Sequence, residues 1–296
     1  MSGKSTDGTV VAGVDVGGTN IEVGLVDGDH EVVAREKAPT PTSGPDGVFD
    51  TIAELVGAVG GDPVAVGVGI PGVVHEGQVL TVPNLEGWSA EVDLVGGLSS
   101  RLDAPVTLGN DANVGLLGEW VAGAAKGARD VLGLWMGTGI GGGLILDGRP
   151  YEGSRGSAGE IGHVLVQPGG ALCSCGRRGC VEAYAGRRMM SGAASAMVEA
   201  GWKTHLFEIR EDEDKPRLTS KVWATALDEE DALAEKLVGA AVEHLGVAVG
   251  SVVNLLDVEL VVVGGGLPEK LGQDLADRVE AAARPWMLRP EPHPTD

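Results

Sequence analysis

The chain has 296 residues, 43% hydrophobic and 22% charged, and a formal net charge of −21. That composition is too apolar for a disordered chain, and the uncharged stretch Val131 to Leu146 is too short and too rich in glycine to span a bilayer. So acidic a surface repels a phosphate backbone, which excludes nucleic acid as a partner, and it fits a salt-rich cytosol in which screening shortens self-repulsion to about 3 Å.

Residues 10–26 read as a β-hairpin, two apolar runs joined by the tight turn Asp15-Val16-Gly17-Gly18-Thr19. A third strand is expected at 32–36, past Asp27-Gly28-Asp29. The spacing of Ile52, Leu55, Val56 and Val59 predicts a helix over 48–59, and 63–70 is a continuous apolar strand ending at Pro71-Gly72. A strand at 106–108 leads into Asn110-Asp111-Ala112-Asn113 and a helix over 114–125. Strand 131–136 breaks at Gly137-Thr138-Gly139-Ile140-Gly141-Gly142-Gly143 and resumes at 144–146, a second hairpin of the same type. Residues 150–180 are loop-rich. Helices follow over 181–199, 220–226 and 229–256, with the charged run 208–217 as a solvated separator. Strand 259–263 ends in Gly264-Gly265-Gly266 before a helix over 268–283. At this length two lobes are expected, a small α/β lobe over 1–109 and a larger one over 110–296. No secretory leader precedes the first strand, so the expected location is cytoplasmic.

All three cysteines, Cys173, Cys175 and Cys180, fall within eight residues, and His163 stands ten residues upstream of the first. Three thiols and one imidazole form a tetrahedral zinc set, with Gly176 and Gly179 supplying the positive φ that a chain folding back on one ion requires. Free thiols in a loop are the plain alternative. A disulfide framework would leave one cysteine over.

A single glycine-rich turn after a strand is most often only a turn. Three in one chain, at Gly17-Gly18, Gly137–Gly143 and Gly264–Gly266, offer bare backbone amides to an anion, and none has Walker or dinucleotide-fingerprint spacing. The phosphate cradle is therefore expected from hairpins rather than from a helix-capping loop.

Taken in order, Asp15-x-Gly17-Gly18-Thr19, Asn110-Asp111-x-Asn113, Gly137-Thr138-Gly139-x-Gly141-Gly142-Gly143, Glu160-x-Gly162-His163 and Cys173-x-Cys175-Gly176-x-x-Gly179-Cys180-x-Glu182 resemble the ROK family of sugar kinases and repressors over roughly residues 10–270. Within it the chain is most similar to zinc-containing glucokinases of haloarchaeal type. The resemblance implies the two-lobed α/β fold of sugar kinases, hsp70 and actin, ribonuclease H-like, with a zinc-binding loop and with the sugar in the cleft between lobes. It implies ATP-dependent phosphorylation of glucose at the 6-hydroxyl, with mannose, fructose or N-acetylmannosamine as alternative sugars. Asp111 would be the catalytic base, and Gly72, Asn110, Glu160, His163 and Glu182 would contact the sugar beside it. Asn84 is a further sugar contact or a buried loop asparagine. Asp15 would act through Mg²⁺, while Gly17, Gly18, Thr19, Thr138 and Gly139 meet the ATP phosphates and Gly265 and Gly266 flank the adenosine. His163, Cys173, Cys175 and Cys180 would hold structural Zn²⁺. A homo-oligomer, dimer or tetramer, is expected, with no membrane partner. The repressor branch carries a helix-turn-helix ahead of the first strand, and only about ten residues precede it here. Family members also continue past the helix after Gly266 into a further strand and a closing helix, whereas this sequence ends in a proline-rich run. The expectation from that end is either a truncated chain or a first lobe completed some other way, with a sugar-binding protein of impaired catalysis as the alternative function.

Overall fold

The computed structural model describes residues 9–82, 85–88 and 91–290. Asn84 and the proline-rich run 291–296 lie outside the described residues.

One compact unit takes in Met1–Gly123 and Glu152–Ala158. Strands β1 (Val11–Val16), β2 (Asn20–Val26) and β3 (Val32–Pro39) form an antiparallel meander. Alternate residues are buried along the first two, Ala12, Val14 and Val16 on β1 and Ile21, Val23 and Leu25 on β2, because strand side chains alternate faces. Helix α1 (Pro45–Val59) buries Val48, Phe49, Ile52, Leu55 and Val56, and Pro45 in its first turn starts it three residues ahead of the expected Val48. Strand β4 (Val66–Ile70) runs parallel to β1.

A small sheet of β5 (Val73–His75), β6 (Gln78–Thr81) and β7 (Val92–Asp93) follows, and with it α2 (Leu94–Ser99). Periodicity did not announce these elements, which are only two to six residues long. Strand β8 (Val106–Asn110) then pairs parallel with β4 and leads into α3 (Asp111–Ala122), closing a sheet of order β3-β2-β1-β4-β8. Ile52, Leu94 and Leu98 from the helices meet Val16, Ile21, Val66 and Ile70 from the sheet in a core from which solvent is excluded. Because β8 is bonded to β4 and α3 packs on both, residues 110–123 fall in this unit rather than in the 110–296 lobe drawn from the sequence.

The other unit takes in Ala124–Tyr151 and Gly159–Asp296. It repeats the opening motif: β9 (Val131–Met136), β10 (Ile140–Leu146) and β11 (Arg149–Pro150) are antiparallel. A 3-10 turn at Ile161–His163 opens the cysteine segment, which leads to α4 (Glu182–Ala185), α5 (Arg187–Glu199), α6 (Leu206–Asp212), α7 (Ser220–Asp228) and α8 (Ala232–Leu256). Strand β12 (Leu260–Gly264) pairs parallel with β9, completing the order β11-β10-β9-β12 before α9 (Pro268–Leu271) and α10 (Gln273–Ala283).

Three departures from the expected elements have local causes. The helix over 181–199 is divided by Gly186 in extended backbone, and the helix over 268–283 by Gly272 at φ 64°. The charged run 208–217 is partly α6, since Leu206 and Ile209, three apart, bury one face of it. Among the described residues α8 is the one helix long and apolar enough to cross a membrane. Its apolar face is packed on α10, α4 and the 3-10 turn Arg284–Trp286, and the contact is close: a Cβ on Gly246 would stand 2.5 Å from Ala282 and one on Gly250 2.6 Å from Trp286.

Candidate functional site

In the first unit the turn between β1 and β2 is closed by Gly17, whose N–H donates to Asn20 O at 2.9 Å and whose carbonyl accepts from Thr40 Oγ1 at 2.6 Å. Gly18 and Thr19 stand exposed at its tip. Asp15, one residue before the end of β1, is open to solvent, yet the protein around it desolvates its carboxyl and, with the charges of Asp111 and Glu22, pushes its pKa above the ordinary value of 3.8, with Lys37 opposing. Crowded carboxylates of this kind are relieved by a cation, so the donor set at Asp15 fits Mg²⁺.

Asp111 is the first residue of α3, its Oδ1 accepting from Ala112 N at 2.8 Å. It remains open to solvent, yet the protein around it desolvates the carboxylate enough to push its pKa up, against the pull of the Ala112 amide and Asn110. Asn110 caps α3, its Oδ1 accepting from Ala112 N at 3.0 Å and Asn113 N at 3.1 Å while its Nδ2 donates to Gly72 O at 2.9 Å. Gly72 sits at φ 107°, where a Cβ would lie 1.9 Å from Thr81 O. Asp111, Asn110 and Gly72 are thereby joined into one rigid corner.

In the second unit the turn between β9 and β10 packs against the start of α5, where Arg187 N donates to Gly137 O at 3.2 Å and Arg188 N to Thr138 O at 3.0 Å. Its glycines serve close approach as much as any ligand. A Cβ on Gly139 would stand 2.2 Å from Glu182 Oε2, and one on Gly142 2.4 Å from Gly159 O. Gly265, at φ 98°, presses on Met136, and Gly266 presses on Ser220. Gly264–Gly266 is not one of the hairpins from which a phosphate cradle was expected; it leads from the end of β12, parallel to β9, towards α9, in the strand-then-helix order read from the sequence.

The four sulfur and nitrogen ligands converge. One donor atom from each of His163, Cys173, Cys175 and Cys180 lies within 4.8 Å of the others. Cys175 Sγ and Cys180 Sγ are 3.8 Å apart, and Cys173 Sγ is 3.8 Å from His163 Nδ1. A zinc tetrahedron with Zn–S bonds of about 2.3 Å has sulfurs about 3.8 Å apart, so the spacing fits that ion. The electrostatics agree. Burial pushes the Cys173 thiol up to about 12 and raises Cys180 as well. Burial acts the same way on Cys175, but Arg177 Nε, donating at 3.5 Å, and the two neighbouring thiols bring it down to about 6. Left to themselves the three sulfurs can carry little negative charge, and a divalent cation is what would let them carry more. Gly176 and Gly179 have φ of 83° and 89°, the left-handed backbone expected of them.

Glu182 ties this segment to the glycine turn. Its Oε2 accepts from Ile140 N at 3.1 Å, and its Oε1 accepts from Ser174 Oγ and lies 3.7 Å from Cys173 Sγ. Glu160 caps the 3-10 turn that carries His163, its carbonyl accepting from His163 N at 3.0 Å. Nδ1 is the ring nitrogen that faces Cys173, which leaves Nε2 for another partner. Arg187 and Ser220 were not singled out from the sequence. Arg187 Nη1 donates to Ser220 Oγ at 2.9 Å and Nη2 to Thr138 Oγ1 at 3.2 Å.

The ROK family model matches residues 11–296. The chain is 33% identical over 281 residues to a glucokinase of Streptomyces coelicolor, covering 93% of this chain and 87% of that protein. It is also 33% identical over 284 residues to an N-acetyl-D-glucosamine kinase of Escherichia coli, covering 90% and 88%. Among solved structures it is similar to a ROK family glucokinase from Streptomyces griseus in complex with glucose and AMPPNP, at a TM-score of 0.81 and 31% identity over 96% of this chain and 92% of that one. The mixed α/β fold derived above is the fold of those structures.

Proposed function

The chain belongs to the ROK family, and from that premise we propose that it transfers the terminal phosphoryl group of ATP to the 6-hydroxyl of glucose. It is a hexokinase-type phosphotransferase. The observation that carries the reading is Asp111, an accessible carboxylate with a raised pKa, fixed at the start of α3 by Asn110 and Gly72. A raised pKa makes it the stronger base, suited to a hydroxyl proton. As the sugar oxygen attacks phosphorus, its proton passes to Asp111, the bond to the ADP oxygen breaks, and sugar phosphate and ADP result.

On the first unit Gly72 and Asn110 hold sugar hydroxyls beside that base, and Gly17, Gly18 and Thr19 receive phosphate at the β1–β2 turn. Mg²⁺ at Asp15 would offset phosphate charge. On the second unit Glu160 and Glu182 accept hydrogen bonds from sugar hydroxyls, and His163 donates one from Nε2. Thr138 and Gly139 meet phosphate, and Gly265 and Gly266 flank the adenosine. Zn²⁺ held by His163, Cys173, Cys175 and Cys180 would fix the loop that carries these sugar contacts, with its four positions filled by protein and none left for phosphate. We place the protein in the cytoplasm on the grounds of its substrates, in a saline cytosol on the grounds of its acidity, and as a homo-oligomer on the family resemblance alone.

N-acetyl-D-glucosamine is the second sugar to consider, because a kinase named for it is as similar as the glucokinases. A coupled assay with ATP and Mg²⁺ across glucose, N-acetylglucosamine, mannose, fructose and N-acetylmannosamine decides among them. Glucose should give the highest kcat/KM. A tenfold preference for any other sugar would reassign the substrate, and no turnover with any of them would leave a binding protein.

A further inference from the structure

A half-buried guanidinium in the second unit has no use in the mechanism above. Arg187 opens α5 beside the β9–β10 turn, and its two hydrogen-bonded partners are neutral hydroxyls: Ser220 Oγ at 2.9 Å, itself only 7% exposed, and Thr138 Oγ1 at 3.2 Å. Among the described residues no carboxylate lies in ion-pair distance of Arg187, nor of Arg217, whose positive charge acts on it. Other arginines without such a partner, among them Arg149, Arg155, Arg188, Arg217 and Arg289, stand exposed to water, whereas Arg187 is half-buried. Burial pulls its pKa below the usual arginine value, and Arg217 adds to that pull. A guanidinium kept charged while desolvated needs a counter-charge, and here the protein supplies none within reach.

Three segments meet at this side chain. Thr138 belongs to the β9–β10 turn and Ser220 to the first turn of α7. Gly266 belongs to the turn after β12, where a Cβ would stand 2.7 Å from Ser220 Oγ and 3.7 Å from Arg187 Nη1. Two of the three, the β9–β10 turn and the turn after β12, are those assigned above to the nucleotide. We propose that Arg187 binds the phosphate chain of the nucleotide, its unspent N–H groups donating to phosphate oxygens while Ser220 and Thr138 hold the guanidinium plane in place. The inference rests on the reading of this unit as the nucleotide site. It adds a protein cation to this unit's share of the site, where Thr138, Gly139, Gly265 and Gly266 offer only backbone amides and a hydroxyl.

The test separates phosphate from adenosine. Binding of ATP, ADP and adenosine is measured by calorimetry for the wild type, Arg187→Gln and Arg187→Lys. We expect adenosine affinity to stay within about twofold in all three, ATP and ADP affinity to fall about tenfold or more in Arg187→Gln, and Arg187→Lys to fall between. An equal loss for adenosine would mean that Arg187 only props the site, and unchanged ATP affinity in Arg187→Gln would overturn the proposal outright. If the glutamine variant does not fold, the ratio of ATP to adenosine affinity in Arg187→Lys decides, and a ratio equal to wild type rejects it. A wild type that binds neither ATP nor adenosine would instead remove the nucleotide reading, and this inference with it.

Discussion

Asp111 shows how one residue can be placed by its neighbours. Its backbone begins α3, Asn110 before it caps that helix, and Gly72 receives the other end of the Asn110 amide. With its pKa raised above 3.8 by desolvation, the carboxylate is a strain on the folded state once ionised, because the fold favours the protonated form. Two effects should therefore go opposite ways in Asp111→Asn. Turnover should fall by about a hundredfold or more, with sugar affinity kept. The melting temperature at neutral pH should hold or rise. In the wild type, the acid limb of kcat/KM should have its midpoint above 3.8, since the base works only when deprotonated. A limb at or below the ordinary aspartate value, or near-native turnover in the asparagine variant, would remove Asp111 from the role.

Two elements carry predictions of their own. The cysteine segment holds few buried residues besides Cys173, Cys180 and Ala183, with Tyr184 packed against them, so the metal has to do what a core does elsewhere. Cys175→Ser, or prolonged chelation, should release about one zinc per chain, weaken sugar binding and raise amide exchange over 160–182. Metal analysis of protein purified without chelator checks the premise, and an absence of zinc rejects it.

Helix α8 begins at Asp231, 7% exposed, which accepts from Leu233 N, Ala234 N and His205 N at 3.0, 2.8 and 2.7 Å. Burial alone would raise this carboxyl, yet those amides and Thr204 hold it below 3.8. A depressed carboxyl stabilises the fold above its unfolded value and loses that contribution as pH falls through its folded one. Asp231→Ala should cost about 1–2 kcal/mol at neutral pH, and the gap to wild type should close below about pH 3.8. Urea titrations at pH 7 and pH 3 compare them.

Across the whole molecule, 43 carboxylates face 22 basic groups, and among the described residues many of the ion pairs lie at the surface, such as Glu22 with Arg35 and Asp147 with Arg129. Pairs of that kind contribute little individually. Net repulsion is the larger effect, and it weighs more on the compact state than on the open chain. The Debye length shrinks from about 30 Å in dilute buffer to about 3 Å at 1 M salt, so melting temperature and activity should rise together from low to molar KCl. A flat or falling melting temperature over that range would make the acidity incidental.

The ligand set and the hairpins were legible along the chain because each depends on neighbours in sequence. Cys173, Cys175 and Cys180 are within one loop, Gly176 and Gly179 must turn it, and β1–β2 and β9–β10 are local pairings. What periodicity could not reveal depends on residues far apart. The β4–β8 pairing brings α3, and Asp111 with it, into the first unit. The parallel pairing of β12 with β9 sets Gly265, in the turn after β12, against Met136 at the end of β9. Arg187, inconspicuous in Ala185-Gly186-Arg187-Arg188, acquires its meaning only where Thr138 and Ser220, 49 and 33 residues away, close on its guanidinium. Local backbone chemistry is written in the order of residues. Which distant groups share one desolvated space is decided by how sheets and helices pack, and charge without a counter-charge becomes visible only there.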